Sequence, residues 1–152
     1  MKKWITLWGI LIFGLTFMAC GGARQTDFKP LVQDIDSRIG ESVTLGGYML
    51  DTRVADNQTL VVVLQAPLGV RGRPQSEDKS QGHFLVVYQG TLDPNDVGHR
   101  RSLTVTGTVL GTAQEKIADC PTPCLKIESS ILHVWPLYEE QFWGRPTDGP
   151  GP

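Results

Sequence analysis

An uncharged run, apolar apart from Thr6 and Thr16, extends from Trp4 to Ala19, directly behind Lys2 and Lys3 and directly before Cys20. Beyond that run the pattern changes to short apolar-rich stretches separated by clusters of Gly, Pro, Asn and Asp. Five of them, residues 43–54, 59–65, 84–89, 103–110 and 125–135, are rich in Val, Ile, Leu, Thr and aromatics, and predict β-strands. The fourth has a clear period of two. Leu103, Val105 and Val109 alternate with Thr104, Thr106 and Thr108, which directs an apolar row inward and a hydroxyl row toward water. Residues 60–64 are continuously apolar and predict a strand covered on both faces. Gly46 and Gly47 interrupt the first strand and predict a bulge or sharp bend of the kind that turns a barrel corner.

Two short helices complete the expected order. Leu31, Val32, Ile35 and Ile39 have helical spacing over residues 31–38, and Gly40 stops the run. Between the third and fourth strands, Asp93, Pro94 and Asp96 match an N-cap, a first-turn proline and an acidic first-turn residue. A mostly β fold follows, with the connectivity of a small five-stranded OB-like barrel; a small open β-sandwich shares most of the same signals.

The N-terminal run reads as a secretory signal. Its sixteen residues contain Gly9 and Gly14, and a spanning helix needs roughly 20 apolar residues. Phe17, Met18, Ala19 and Cys20 resemble the lipobox of bacterial lipoproteins, in which the cysteine is acylated and becomes the first residue of the mature protein. Gly21 follows, and the resemblance to Gram-negative lipoproteins implies sorting to the outer membrane with the domain facing the periplasm. The expected organisation is a signal peptide over 1–19, a lipidated cysteine and flexible tether over 20–30, a β domain over 31–143 and a disordered Pro/Gly tail over 144–152.

Lipidation removes Cys20 from the three cysteines and leaves Cys120 and Cys124, which enclose Pro121, Thr122 and Pro123. In an oxidising compartment this spacing predicts a structural disulfide across a tight loop. A thioredoxin-like site needs two intervening residues, and zinc at this pair with His133 would lack a clear fourth ligand, so neither metal nor cofactor is expected. The formal net charge is −2 over the whole chain, and loss of Lys2 and Lys3 makes it more negative. That balance lacks the basic footprint of a nucleic-acid binder.

Catalytic signatures are missing from the sequence: there is no Gly-x-Ser-x-Gly elbow, His-Glu-x-x-His pair, Walker loop or dinucleotide fingerprint. Asp93 and Asp96 fit helix capping better than acid–base work, and His83, His99 and His133 are scattered. The best candidate for a binding or bracing role is the polar loop 69–81, with Arg73 held between Gly72 and Pro74. Arg73 would either pair internally with a carboxylate such as Asp93 or grip an external carboxylate or phosphate. Breaking a buried pair would cost roughly 3 to 5 kcal/mol. Tyr138, Phe142 and Trp143, following Trp135, form an aromatic cluster suited to packing on the barrel or to a membrane interface.

Ordered short motifs carry a family resemblance. Gly40, Val43, Gly46 and Gly47, then Leu64, Gln65, Pro67 and Leu68, then Gly72, Arg73 and Pro74, then Ser80, Gly82 and Phe84 are similar to the Slp family of outer-membrane lipoproteins. Gly90, Leu92, Asp93 and Pro94, then Thr104, Val105 and Gly107, then Trp135 and Pro136 continue the match in order. Thr91 stands where the family usually has an aromatic, and His83 where many members have Arg. The resemblance implies a starvation- or stress-associated lipoprotein with no established reaction. The expected function is non-enzymatic envelope support through protein contacts. A glycan- or small-ligand-binding OB-like module is the alternative, a use borrowed from the fold alone.

Overall fold

The structure is a computed structural model that describes residues 25–114 and 119–137. Its strands are β1 (Ser42–Ala55), β2 (Gln58–Gln65), β3 (His83–Tyr88), β4 (Ser102–Thr112) and β5 (Leu125–Val134), each within two residues of the expected bounds. They close a barrel in the order β1-β2-β3-β5-β4. Only the β3–β5 pair is parallel, and closure favours the barrel over the open sandwich.

The length of β1 makes closure possible. Ser42 to Tyr48 pair with β4, Gly47 to Ala55 pair with β2, and the strand passes from one neighbour to the other at Gly47. The expected bulge lies slightly later than the glycines, between Met49 and Asp51. Close approach explains the glycines instead. A Cβ on Gly46 would stand 2.1 Å from Leu68 Cδ2, and one on Gly47 would stand 2.1 Å from the Leu64 carbonyl oxygen.

Alternation fills the interior. Val43, Leu45 and Met49 from β1 meet Val61, Val63, Phe84, Val86, Leu103, Val105, Val109, Leu125 and Ile127 from the other strands. The N-terminal helix α1 (Phe28–Gln33) plugs the barrel with Phe28 and Leu31, and the Phe28 ring lies 5.9 Å from that of Phe84. This corrects two expectations. The helix begins three residues early and gives way to a separate 3-10 turn at Asp36–Arg38, with Ile39 mostly exposed. Within residues 26–30, assigned to the tether, Thr26 bonds to Thr44 and Phe28 is buried against Phe84, while Asp27, Lys29 and Pro30 stay exposed.

The continuously apolar β2 is covered on both faces, as its pattern requires. Val61 and Val63 point inward, while Val62 packs outside with Leu85 under Ala113, Cys120 and Cys124. No helix forms between β3 and β4. Residues 94–96 make a single turn in which the Asp93 carboxylate accepts from Asn95 N at 2.8 Å, a local bond that competes with helix propagation. Other short 3-10 turns instead occupy the β2–β3 connection, at Val70–Gly72 and Glu77–Lys79.

Candidate functional site

The β2–β3 connection folds back on itself before it reaches the barrel wall. Leu68 bridges to Pro74, Gly69 N donates to Arg73 O at 2.8 Å and Gly72 N donates to Gly69 O at 3.1 Å. A tight tip results, with Arg71 in a left-handed conformation (φ 67°, ψ 11°) and Gly72 at φ 76°. Pro74 is buried with its Cγ over Gly46. Gly and Pro on either side of Arg73 therefore shape a loop that clamps the barrel at the point where β1 changes neighbours.

Polar bonds hold the loop down. Thr104 Oγ1 donates to Gly72 O at 2.6 Å and accepts from Trp135 Nε1 at 2.9 Å. Tyr48 donates its phenol proton to Gln75 O at 2.7 Å. Burial, aided by the negative charge of Glu77, raises the Tyr48 pKa above its ordinary 10.0, so the phenol keeps that proton at neutral pH. Glu77 in turn pairs with Arg100. The hydroxyl row of β4 is thus only partly solvated: Thr104 braces the loop, Thr106 shares a 2.9 Å hydrogen bond with Thr44, and Thr108 is exposed.

Arg73 meets the end of β5. Its Nη2 donates to Pro136 O at 3.1 Å and its guanidinium lies 5.8 Å from the centre of the Trp135 ring. The expected partner Asp93 is elsewhere, because it follows the opposite end of β3 from the one the loop feeds. Asp93 and Pro94 are exposed and serve their own turn. Among the described residues the half-exposed Arg73 is held by a carbonyl and a cation–π contact, not by Asp93, and this lowers the stake. Arg73→Ala is expected to cost about 1 to 2 kcal/mol, measured as a shift of the chemical unfolding midpoint. A loss of 3 kcal/mol or more would restore the buried-pair reading.

Arg101 is a structural residue the sequence reading did not single out. It is 9% exposed, with Nη2 3.7 Å from Asp96 Oδ1. Its only sequence signal was a cation directly ahead of a strand, and the partner across the turn was invisible.

Cys120 and Cys124 are joined by a disulfide with Cα atoms 5.6 Å apart. A bond closing so short a loop contributes near the lower end of the usual ~2 to 4 kcal/mol. Cys20, Tyr138, Phe142 and Trp143 lie outside the described residues. His99 faces the Leu50 carbonyl, His133 stands edge-on to Trp135 at 4.4 Å, and His83 pairs at the end of β2. Among the described residues no three His, Cys, Asp or Glu side chains converge on a common point. The cleft between Phe28, Val32, His83 and Pro121–Pro123 encloses ≈ 210 Å³, below the ~300 to 1,000 Å³ of small-molecule sites.

A filled, closed five-stranded barrel whose main loop is bonded to its own strands defines the class of small β-barrel domains. The chain belongs to the outer membrane lipoprotein Slp family, whose model matches residues 20–149. Family membership makes it a lipoprotein of the outer membrane.

Two relatives were found. An uncharacterized protein of Haemophilus influenzae is 30% identical over 109 residues, 71% of this chain and 58% of that protein. The outer membrane protein Slp of Escherichia coli is 27% identical over 145 residues, 86% of this chain and 76% of that protein. The chain therefore spans less than two thirds of the first relative. Among solved structures, the aspartyl tRNA synthetase of Entamoeba histolytica aligns with a TM-score of 0.50 and 12% identity, over 76% of this chain and 23% of that one, a likeness of fold alone.

Proposed function

We propose that the protein is exported by its signal peptide, acylated on Cys20 and held at the outer membrane with its barrel facing the periplasm. There it supports the envelope under starvation or stress through protein contacts, without catalysing a reaction. The oxidised Cys120–Cys124 pair suits that compartment.

One observation favours protein contacts over glycan binding. In OB-type barrels the β2–β3 face and its flanking loops receive oligonucleotides and oligosaccharides. Here Val62 and Leu85 on that outer face are 3% and 1% exposed, packed against Ala113, Cys120 and Cys124 of the β4–β5 connection. The chain's own residues occupy the place where a sugar would stack.

In-cell photo-crosslinking from exposed barrel positions, run beside a glycan-binding screen of the purified protein, tests this reading. Discrete crosslinked envelope proteins and no saturable glycan binding are expected. Saturable glycan binding without crosslinked partners would reverse the assignment.

A further inference from the structure

We propose that the tip of the β2–β3 loop, Val70 and Arg71, docks on the phospholipid leaflet that holds the acylated N-terminus. Val70 is 91% exposed, more than any other large hydrophobic side chain among the described residues. Beside it Arg71 is exposed, and its side chain makes no bond to a described residue. A glycine would adopt the left-handed backbone of that position without strain. The chain instead keeps a cation next to an exposed valine, the pairing that suits a lipid surface with apolar and phosphate layers.

Chain continuity identifies the occupant. The Gln25 side chain donates to Leu68 O at 3.0 Å and accepts from Leu68 N at 3.2 Å. Thr26 N donates to Thr44 O at 3.2 Å, and Thr44 N donates to Thr26 Oγ1 at 3.2 Å. The N-terminal segment is thereby pinned at the base of the loop, two residues before Val70. Five residue steps separate Cys20 from Gln25, a reach of at most about 18 Å. So short a tether turns the Leu68 end of the barrel toward the membrane and the β1–β2 hairpin, at the opposite end of β2, away from it. The chain also leaves β5 on this side, where Arg73 holds the Pro136 carbonyl beside the half-exposed Leu137.

The inference rests on acylation of Cys20, and the test separates the two. The full acylated protein, carrying Val70→Cys or Val54→Cys, is spin-labelled on its single unpaired thiol and reconstituted in phosphatidylethanolamine–phosphatidylglycerol vesicles. Val54, 69% exposed near the far hairpin, is the control. The label at position 70 is expected to collide severalfold more with oxygen than with a water-soluble nickel chelate, relative to the label at 54. Arg71→Gly, which the backbone accommodates, should leave the unfolding midpoint unchanged or higher and reduce the ratio of docked to undocked protein about fivefold, the weight of one cation at an anionic surface. Equal aqueous exposure of both labels on protein that floats with the vesicles would overturn the docking and leave acylation standing. Protein that fails to float would overturn both.

Discussion

Replacement of Cys20 by serine is expected to move the protein from the membrane to the soluble fraction and to abolish palmitate labelling. Each buried methylene contributes about 0.8 kcal/mol, so two or more acyl chains anchor a protein stably where one is marginal. Nothing else in the described residues approaches that strength. No described helix is long and apolar enough to cross a membrane. The tip residues Val70 and Arg71 together would supply only about 2 to 3 kcal/mol even when fully engaged. They orient an anchored barrel but do not hold a free one. Cys20 precedes the barrel residues, so the serine variant should unfold at the wild-type midpoint once extracted. Fractionation with palmitate labelling reads the effect, and unchanged outer-membrane residence of Cys20→Ser would refute the lipid anchor.

Gly47→Val is expected to be the most damaging single substitution inside the barrel. A Cβ at Gly47 would lie 2.1 Å from the Leu64 oxygen, 2.6 Å from Val63 Cγ1 and 2.9 Å from the Leu64 carbonyl carbon. Two of those atoms belong to the β2 backbone and have no rotamer in which to retreat. Relief requires parting β1 from β2 at the residue where β1 is also bound to β4, through Gly47 opposite Leu103. Ordinary overpacking costs about 1 to 3 kcal/mol. A clash against paired backbone should exceed that and reach roughly 4 kcal/mol or more, a large part of the 5 to 15 kcal/mol that holds a domain folded. Chemical denaturation of Gly47→Val beside wild type measures it. A loss below about 1 kcal/mol would show that the two strands do not approach as closely as described.

Strand existence and inward face were legible from local pattern. The alternation of Leu103, Val105 and Val109 with threonines specified which side of β4 is buried, since a period of two leaves only one register that hides the apolar row. The unbroken apolar run 60–64 specified cover on both faces of β2, and both covers exist. The Cys120–Cys124 spacing could be assessed from chain length alone. The loop carrying Gly72, Arg73 and Pro74 was also recognisable, because a glycine that admits left-handed backbone on one side of a cation and a proline that fixes φ on the other mark a shaped segment.

Partnership was not legible. Arg73 lies 63 positions from Pro136, Gln25 lies 43 from Leu68, and Thr44 lies 62 from Thr106. Those neighbours exist only because the strands close a ring. Asp93 follows the end of β3 opposite to the one the Arg73 loop feeds, and its carboxylate makes a turn rather than a helix cap or a salt bridge with Arg73. Closure also converted Gly46 and Gly47 from an expected bulge into the narrow contact where β1 leaves β4 for β2. Hydrophobic periodicity is a property of neighbouring residues and fixes which face of a segment avoids water. Which remote atoms then share that dry interior, and which polar groups must find one another at its rim, depends on the register and shear of the whole barrel.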